Sequence, residues 1–274
     1  AELDRWLGPR ARPGFLARFA GFGSSSASAP LPDSIFPRTS ARGRLRVAEI
    51  TLLPLQFEQL DGQVELDGRT VKLIQGQTNF FGGKVSGSLN ARLVADPRYE
   101  FQGRFDRVNL AQLARALPWL NDRIGGTASG ALSLLAHGIG RQSLVASIEG
   151  QGTLQARNAE ISGVDFSAAN PGGEANPLSN LFASVTGAFS IRNGGIDLTN
   201  FVLARSQGRL QADGRIEFSH ALNLLIRPSV SQDASPLASE PAVSFLLGGT
   251  IENPKFALSP PPPLPAIRAG SRRR

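Results

Sequence analysis

From Leu45 onward the chain is written in short runs that alternate one apolar residue with one polar residue. No other feature constrains its fold as strongly. Successive side chains on a strand point to opposite faces, so each run reads as a strand with one dry and one wet face. Val85, Gly87, Leu89, Ala91 and Leu93 share one parity, while Lys84, Ser86, Ser88, Asn90 and Arg92 share the other. Tyr99, Phe101, Gly103 and Phe105 alternate with Glu100, Gln102, Arg104 and Asp106. Leu144, Ala146, Ile148, Gly150, Gly152, Leu154 and Ala156 continue the theme, which returns at Val185–Ile191, Leu210–Phe218, Leu222–Ile226 and Val243–Ile251. Roughly a dozen strands of this kind predict an all-β, mainly antiparallel fold.

A Gly-x-apolar cassette recurs within these runs, as in Gly62/Val64, Gly87/Leu89, Gly103/Phe105, Gly130/Leu132 and Gly152/Leu154. Its spacing is irregular, so it does not define a solenoid period. By parity many of these glycines share the dry face, where glycine marks a bend, a bulge or a close approach. Helices are few. Asn109 can cap Leu110–Leu117, with Gln112 in capping-box position and Pro118 ending the run. A second short helix can begin at Asn176, with Pro177 in its first turn and Leu178, Leu181 and Phe182 on one face. Two such helices cannot cover the dry faces of a dozen strands. Either those faces cover each other, as in a sandwich, or they line a channel filled by something else.

The residues for most chemistry are missing. There is no Cys, which removes disulfides, thiolate metal sites and a cysteine nucleophile together. His137 and His220 stand far apart in sequence and read as turn residues, so no metal site or cofactor is expected. Asp61-Gly62, Asp96-Pro97 and Asp213-Gly214 place acids where hairpin turns use them. No phosphate-binding loop, nucleophile elbow or zinc-protease motif occurs, and the reading is non-enzymatic. Lys and Arg number 29 against 22 Asp and Glu. The excess sits at the ends: residues 1–44 hold seven Arg against Glu2, Asp4 and Asp33, and residues 264–274 hold four Arg and no acid. A nucleic-acid-binding domain carries its basic excess on the folded body, so no nucleic-acid partner is expected. The organisation expected is a remnant and a Ser/Ala/Pro linker over 1–44, a β domain over 45–258 and a Pro-rich, Arg-rich tail over 259–274.

Several segments, taken in order, resemble the AsmA-like family. FFGGKVSGSLNARL (80–93) looks like its aromatic–Gly–Gly turn and following strand, and VNLAQLARAL (108–117) like its strand-to-helix passage. GGTASGALSLLAHG (125–138), LVASIEGQGTLQARNAEISGVDF (144–166), FASVTGAFSIRNGGIDLTNF (182–201), GRLQADGRIEF (208–218) and GGTIENP (248–254) follow in the family's order. AELDRWL at the start is similar to VNLAQLA, which implies the tail of a preceding module.

AsmA-like proteins, grouped with TamB among bridge-like lipid-transfer proteins, are tethered to the bacterial inner membrane by an N-terminal helix, with the body in the periplasm. The resemblance therefore implies an open groove of curved, antiparallel sheet that carries phospholipid between inner and outer membranes and serves outer-membrane maintenance. The tether would lie upstream of Ala1. An acyl chain loses about 0.8 kcal/mol for each CH₂ left in water, so a carrier needs a continuous apolar track.

The track expected here is lined by Val85, Leu89, Leu93, Phe101, Phe105, Leu132, Leu134, Ile148, Leu154, Phe189, Ile191, Leu210, Ile216 and Phe218. Two other readings compete with it. One is a periplasmic scaffold that assists outer-membrane protein assembly through exposed strand edges. The other is a glycan-binding adhesin, against which Trp6 and Trp119 fall in helical rather than strand contexts.

Overall fold

The computed structural model describes residues 40–52, 54–164, 166, 180–205, 208–229 and 244–258. They form one 13-stranded sheet in which each strand pairs antiparallel with its sequence neighbours. It begins with β1 (Ser40–Leu52), β2 (Leu55–Asp67), β3 (Thr70–Phe80), β4 (Gly83–Arg92) and β5 (Arg98–Asn109). It continues through β6 (Ile124–His137), β7 (Glu149–Ile161), β8 (Leu181–Arg192) and β9 (Gly195–Arg205). It ends with β10 (Gly208–Glu217), β11 (Leu222–Ser229), β12 (Phe245–Gly249) and β13 (Pro254–Leu258). β1 and β13 are the two edges and do not pair with each other, so the sheet stays open. β1 opens at Ser40, ahead of the Leu45 at which the alternation first reads clearly.

Turn chemistry explains the simple meander. Phe81-Gly82 and Asn193-Gly194 both place two consecutive residues at positive φ, the backbone that a two-residue hairpin needs to match strand twist. The curl of the sheet comes from bulges. Gln59, Gln75, Arg107, Asn158 and Asn200 all have left-handed backbone, and each sits at a register shift between adjacent strands. A bulge bends its strand and raises local twist, so five of them roll the sheet.

Helix α1 (Leu110–Ala116) lies where expected. The Gln112 backbone N–H donates to Asn109 Oδ1 at 3.0 Å, and a 3-10 turn, Pro118–Leu120, follows. The second helix differs from expectation. Residues Arg141–Ser147 form α2, so the strand read from Leu144 begins only at Glu149. Over so short a run, Leu144, Val145 and Ile148 satisfy helical spacing as well as alternation, and the positive φ of Gly140 turns the chain into the helix. Of the helix expected at Asn176, residues 176–179 lie outside the described residues, but Leu181 and Phe182, expected on its apolar face, instead open strand β8, where Phe182 pairs with Ala159.

Two of the acids assigned to turns belong inside strands. Asp61 sits in β2, where Arg44 of β1 binds both its oxygens at 2.8 Å. Asp213 sits in β10 and accepts from the Asn200 N–H at 2.7 Å, with Arg227 3.5 Å away. Cross-strand arginines on the wet face make a mid-strand carboxylate tolerable there. His137 closes β6 rather than lying in the turn, while His220 does lie in the β10–β11 turn.

The core sits at the C-terminal side of the sheet. Phe182, Leu203, Leu210, Ala212, Ile226, Phe245 and Leu247 are buried there. Phe166, from the segment after β7, packs edge-on against Phe182 of β8 and Phe256 of β13. It thereby bridges strands far apart in the sheet order. The roll is also clasped from outside the core. Trp119 stacks on His220 at 4.9 Å, and Arg123 donates to the Glu252 carbonyl at 2.8 Å. These contacts tie the β5–β6 crossover to the turns of β10–β11 and β12–β13.

Candidate functional site

Register carries one face across the whole sheet. Directly opposed residues of antiparallel strands share a face, so Leu73, Leu89, Phe101, Leu134, Gly150 and Ile191 form one continuous row. A parallel row runs Gly103, Leu132, Gly152 and Phe189 to Leu198, Gly214 and Leu224. The same face takes in Val64 and Leu66 of β2 and Val71 of β3. Among the described residues its charged member is Arg205 at the end of β9. That guanidinium lies 4.6 Å from the Phe182 ring and 5.5 Å from the Phe166 ring, and burial pulls its pKa down.

The expected track residues fall on this face, with three exceptions at strand ends. Leu93 follows β4, Ile148 precedes β7, and Phe218 lies in the turn after β10. The others divide by half of the sheet. Val85, Leu89, Phe101, Leu132 and Leu134 are only half-buried and lie apart from the core. Ile191 is half-buried as well. Phe105, Leu154, Phe189 and Ile216 pack partly against the core, and Leu210 lies within it at 4% exposure. The C-terminal side is therefore filled by its own side chains, while on the β2–β7 side no other described element covers the apolar surface.

That surface is low. A Cβ on Gly103 would stand 2.5 Å from Cζ of Phe101, and one on Gly152 would stand 2.6 Å from Cζ of Phe189. Gly130 is covered in the same way by the Phe105 ring. The aromatic side chains thus lie down over neighbouring glycines instead of standing up from the sheet. The space above these glycines holds rings laid flat. What results is a broad, shallow apolar floor.

The wet face is a lattice of ion pairs. Arg215 bridges Asp197 (3.0 Å) and Glu217 (2.6 Å), and Arg192 also holds Asp197 at 2.7 Å. The hydrogen bond from Arg192, helped by Arg215, keeps the Asp197 carboxyl below its ordinary range. A depression of about 580 Å³ on this side is lined by Arg42, Arg44, Asp61, Gln63 and Glu65. A second, of about 420 Å³, opens at the rim beside Phe81-Gly82 and includes Glu58, Lys84 and Arg107. Among the described residues no His, Asp and Glu group is placed to hold a metal, and no helix is long and apolar enough to cross a membrane.

Some residues of the apolar face went unread in the sequence. Val64, Leu66, Val71 and Leu73 belong to it, but left-handed Gln59 and Gln75 switch parity within β2 and β3. Phe57 and Phe80 stack at 4.8 Å at the end of the same face, a cross-strand contact that only the register reveals. Comparison with family models, with curated proteins and with solved structures finds no match.

Proposed function

We propose that this chain is a non-enzymatic lipid-transfer module that shelters phospholipid acyl chains on its apolar face, as part of an AsmA-like protein serving the outer membrane from the periplasm. The observation that carries the reading is the half-buried apolar face whose register runs from β2 to β7. A contiguous apolar face that its own fold only half covers is the kind of surface that takes an apolar partner. The strands here are 10 to 14 residues long, so the floor spans roughly 33–46 Å along them at about 3.3 Å per residue. That is ample for an extended acyl chain, each CH₂ of which gains about 0.8 kcal/mol by leaving water. The segment order quoted above supports the same assignment.

A periplasmic scaffold for outer-membrane protein assembly is the second reading. It is favoured by β1, a 13-residue edge strand whose outer side pairs with no other described strand. Native mass spectrometry of the purified chain separates the two. Bound phospholipid that is lost in Leu89→Asp, with the melting temperature retained, is the expected result. A protein that carries no lipid, while its β1 edge captures strand peptides, favours the scaffold. Leu210→Asp serves as the contrast, because an unpaired charge in the core unfolds the domain.

A further inference from the structure

The rim depression beside Phe81-Gly82 has a charge pattern of its own. Register sets Glu58 opposite Asn79, Asn79 opposite Lys84 and Lys84 opposite Asp106, a single row on the wet face. Neighbouring strands lie about 4.8 Å apart, so Glu58 and Lys84 start roughly 10 Å apart with long side chains able to converge. Asp106 is already engaged, by Arg107 Nε at 3.1 Å and Ser129 Oγ at 2.9 Å. The Lys84 ammonium and the Glu58 carboxylate have no hydrogen-bond or ion-pair partner among the described residues.

An aromatic step joins this depression to the apolar floor. Phe81 meets Phe80 edge-on at 4.7 Å, and Phe80 stacks on Phe57. Phe81 holds φ 43°, a backbone that a bulky side chain adopts at a cost of about 1 kcal/mol or more. Asn or Gly would fill the turn without that strain. The hydrogen bond from Asn109 N–H to the Phe81 carbonyl, at 2.9 Å, fixes the turn against the start of α1.

We propose that the depression seats the zwitterionic headgroup of a phospholipid, a phosphodiester bearing an ammonium, whose chains pass over Phe81 and Phe80 onto the floor. Lys84, with Arg107 beside it, takes the phosphate, and Glu58 takes the ammonium. The cavity, about 420 Å³, is of the size usual for small-ligand sites. A purely anionic headgroup meets Lys84 but also the uncompensated Glu58, so the seat discriminates against it. This inference rests on the lipid-binding reading above and adds the headgroup class.

The test is calorimetric titration of the full chain with monomeric dihexanoyl phosphatidylethanolamine, dihexanoyl phosphatidylglycerol and glycerophosphoethanolamine, at low salt. Both side chains are exposed, so Lys84→Gln and Glu58→Gln leave the melting temperature unchanged. Lys84→Gln weakens both lipids by up to about fivefold. Glu58→Gln weakens only the ethanolamine lipid and so erases the preference. Equal affinities in wild type and both variants overturn the headgroup seat and leave the apolar floor standing. Headgroup alone binding as tightly as the lipid assigns the cavity to a soluble ligand and also overturns the seat. Wild-type protein that binds neither lipid overturns the seat and the lipid reading together.

Discussion

Glycine and aromatic residues act as pairs on the apolar face. Gly187 lies under the Phe201 ring, and the three atoms nearest to a methyl group there all belong to that ring. Gly187→Ala is expected to destabilise the domain by about 1–3 kcal/mol, the usual cost of overpacking. A double-mutant cycle with Phe201→Leu, read by chemical denaturation, should show a coupling of at least 0.5 kcal/mol in the relieving direction. Strict additivity would mean that the ring does not press on the glycine. On the wet face, Asp197 carries a pH prediction. Its carboxyl is held below its ordinary range in the fold by Arg192 and Arg215 and returns to about 4 on unfolding. Its contribution to stability is therefore complete above about pH 4 and is lost as pH falls through the lower, folded value. Asp197→Asn should flatten the acid limb of a plot of urea midpoint against pH.

Elements differ in how far the sequence discloses them. β4 and β5 are legible because no bulge interrupts their alternation before Phe105. β2 and β3 are not, because Gln59 and Gln75 reverse parity mid-strand at residues with no turn signature. α2 is hidden for a different reason: seven residues are too few to separate a helical stripe from alternation, and tertiary context decides. Least legible is the clasp, since nothing local announces that Trp119 will meet His220 across the roll. Loosening that contact should act on one part of the sheet. Trp119→Ala is expected to cost about 1–3 kcal/mol and to speed amide exchange in β10 to β13, leaving β3 to β5 protected as before. Uniform acceleration over all strands would show that the clasp holds the whole sheet and not its C-terminal side.

At the scale of the molecule, the sheet answers one physical problem in two ways. Its C-terminal strands roll until their apolar faces cover one another, which gives the domain the core it needs. The strands from β2 to β7 keep the same apolar face without a covering layer among the described residues, and its side chains stay half-buried. Apart from Leu93, Ile148 and Phe218, the expected track follows the register yet divides by packing: Leu210 lies in the core, while Leu89 and Phe101 stay half-buried apart from it.

The most direct measurement places a photo-crosslinking amino acid singly at Leu89, Phe101 and Leu132, and at Ser88, Gln102 and Ser133 on the opposite face, in cells that express this protein. The account predicts phospholipid adducts from the first three positions and none from the second three. Adducts from both faces alike, or from neither face of a folded protein, would contradict it.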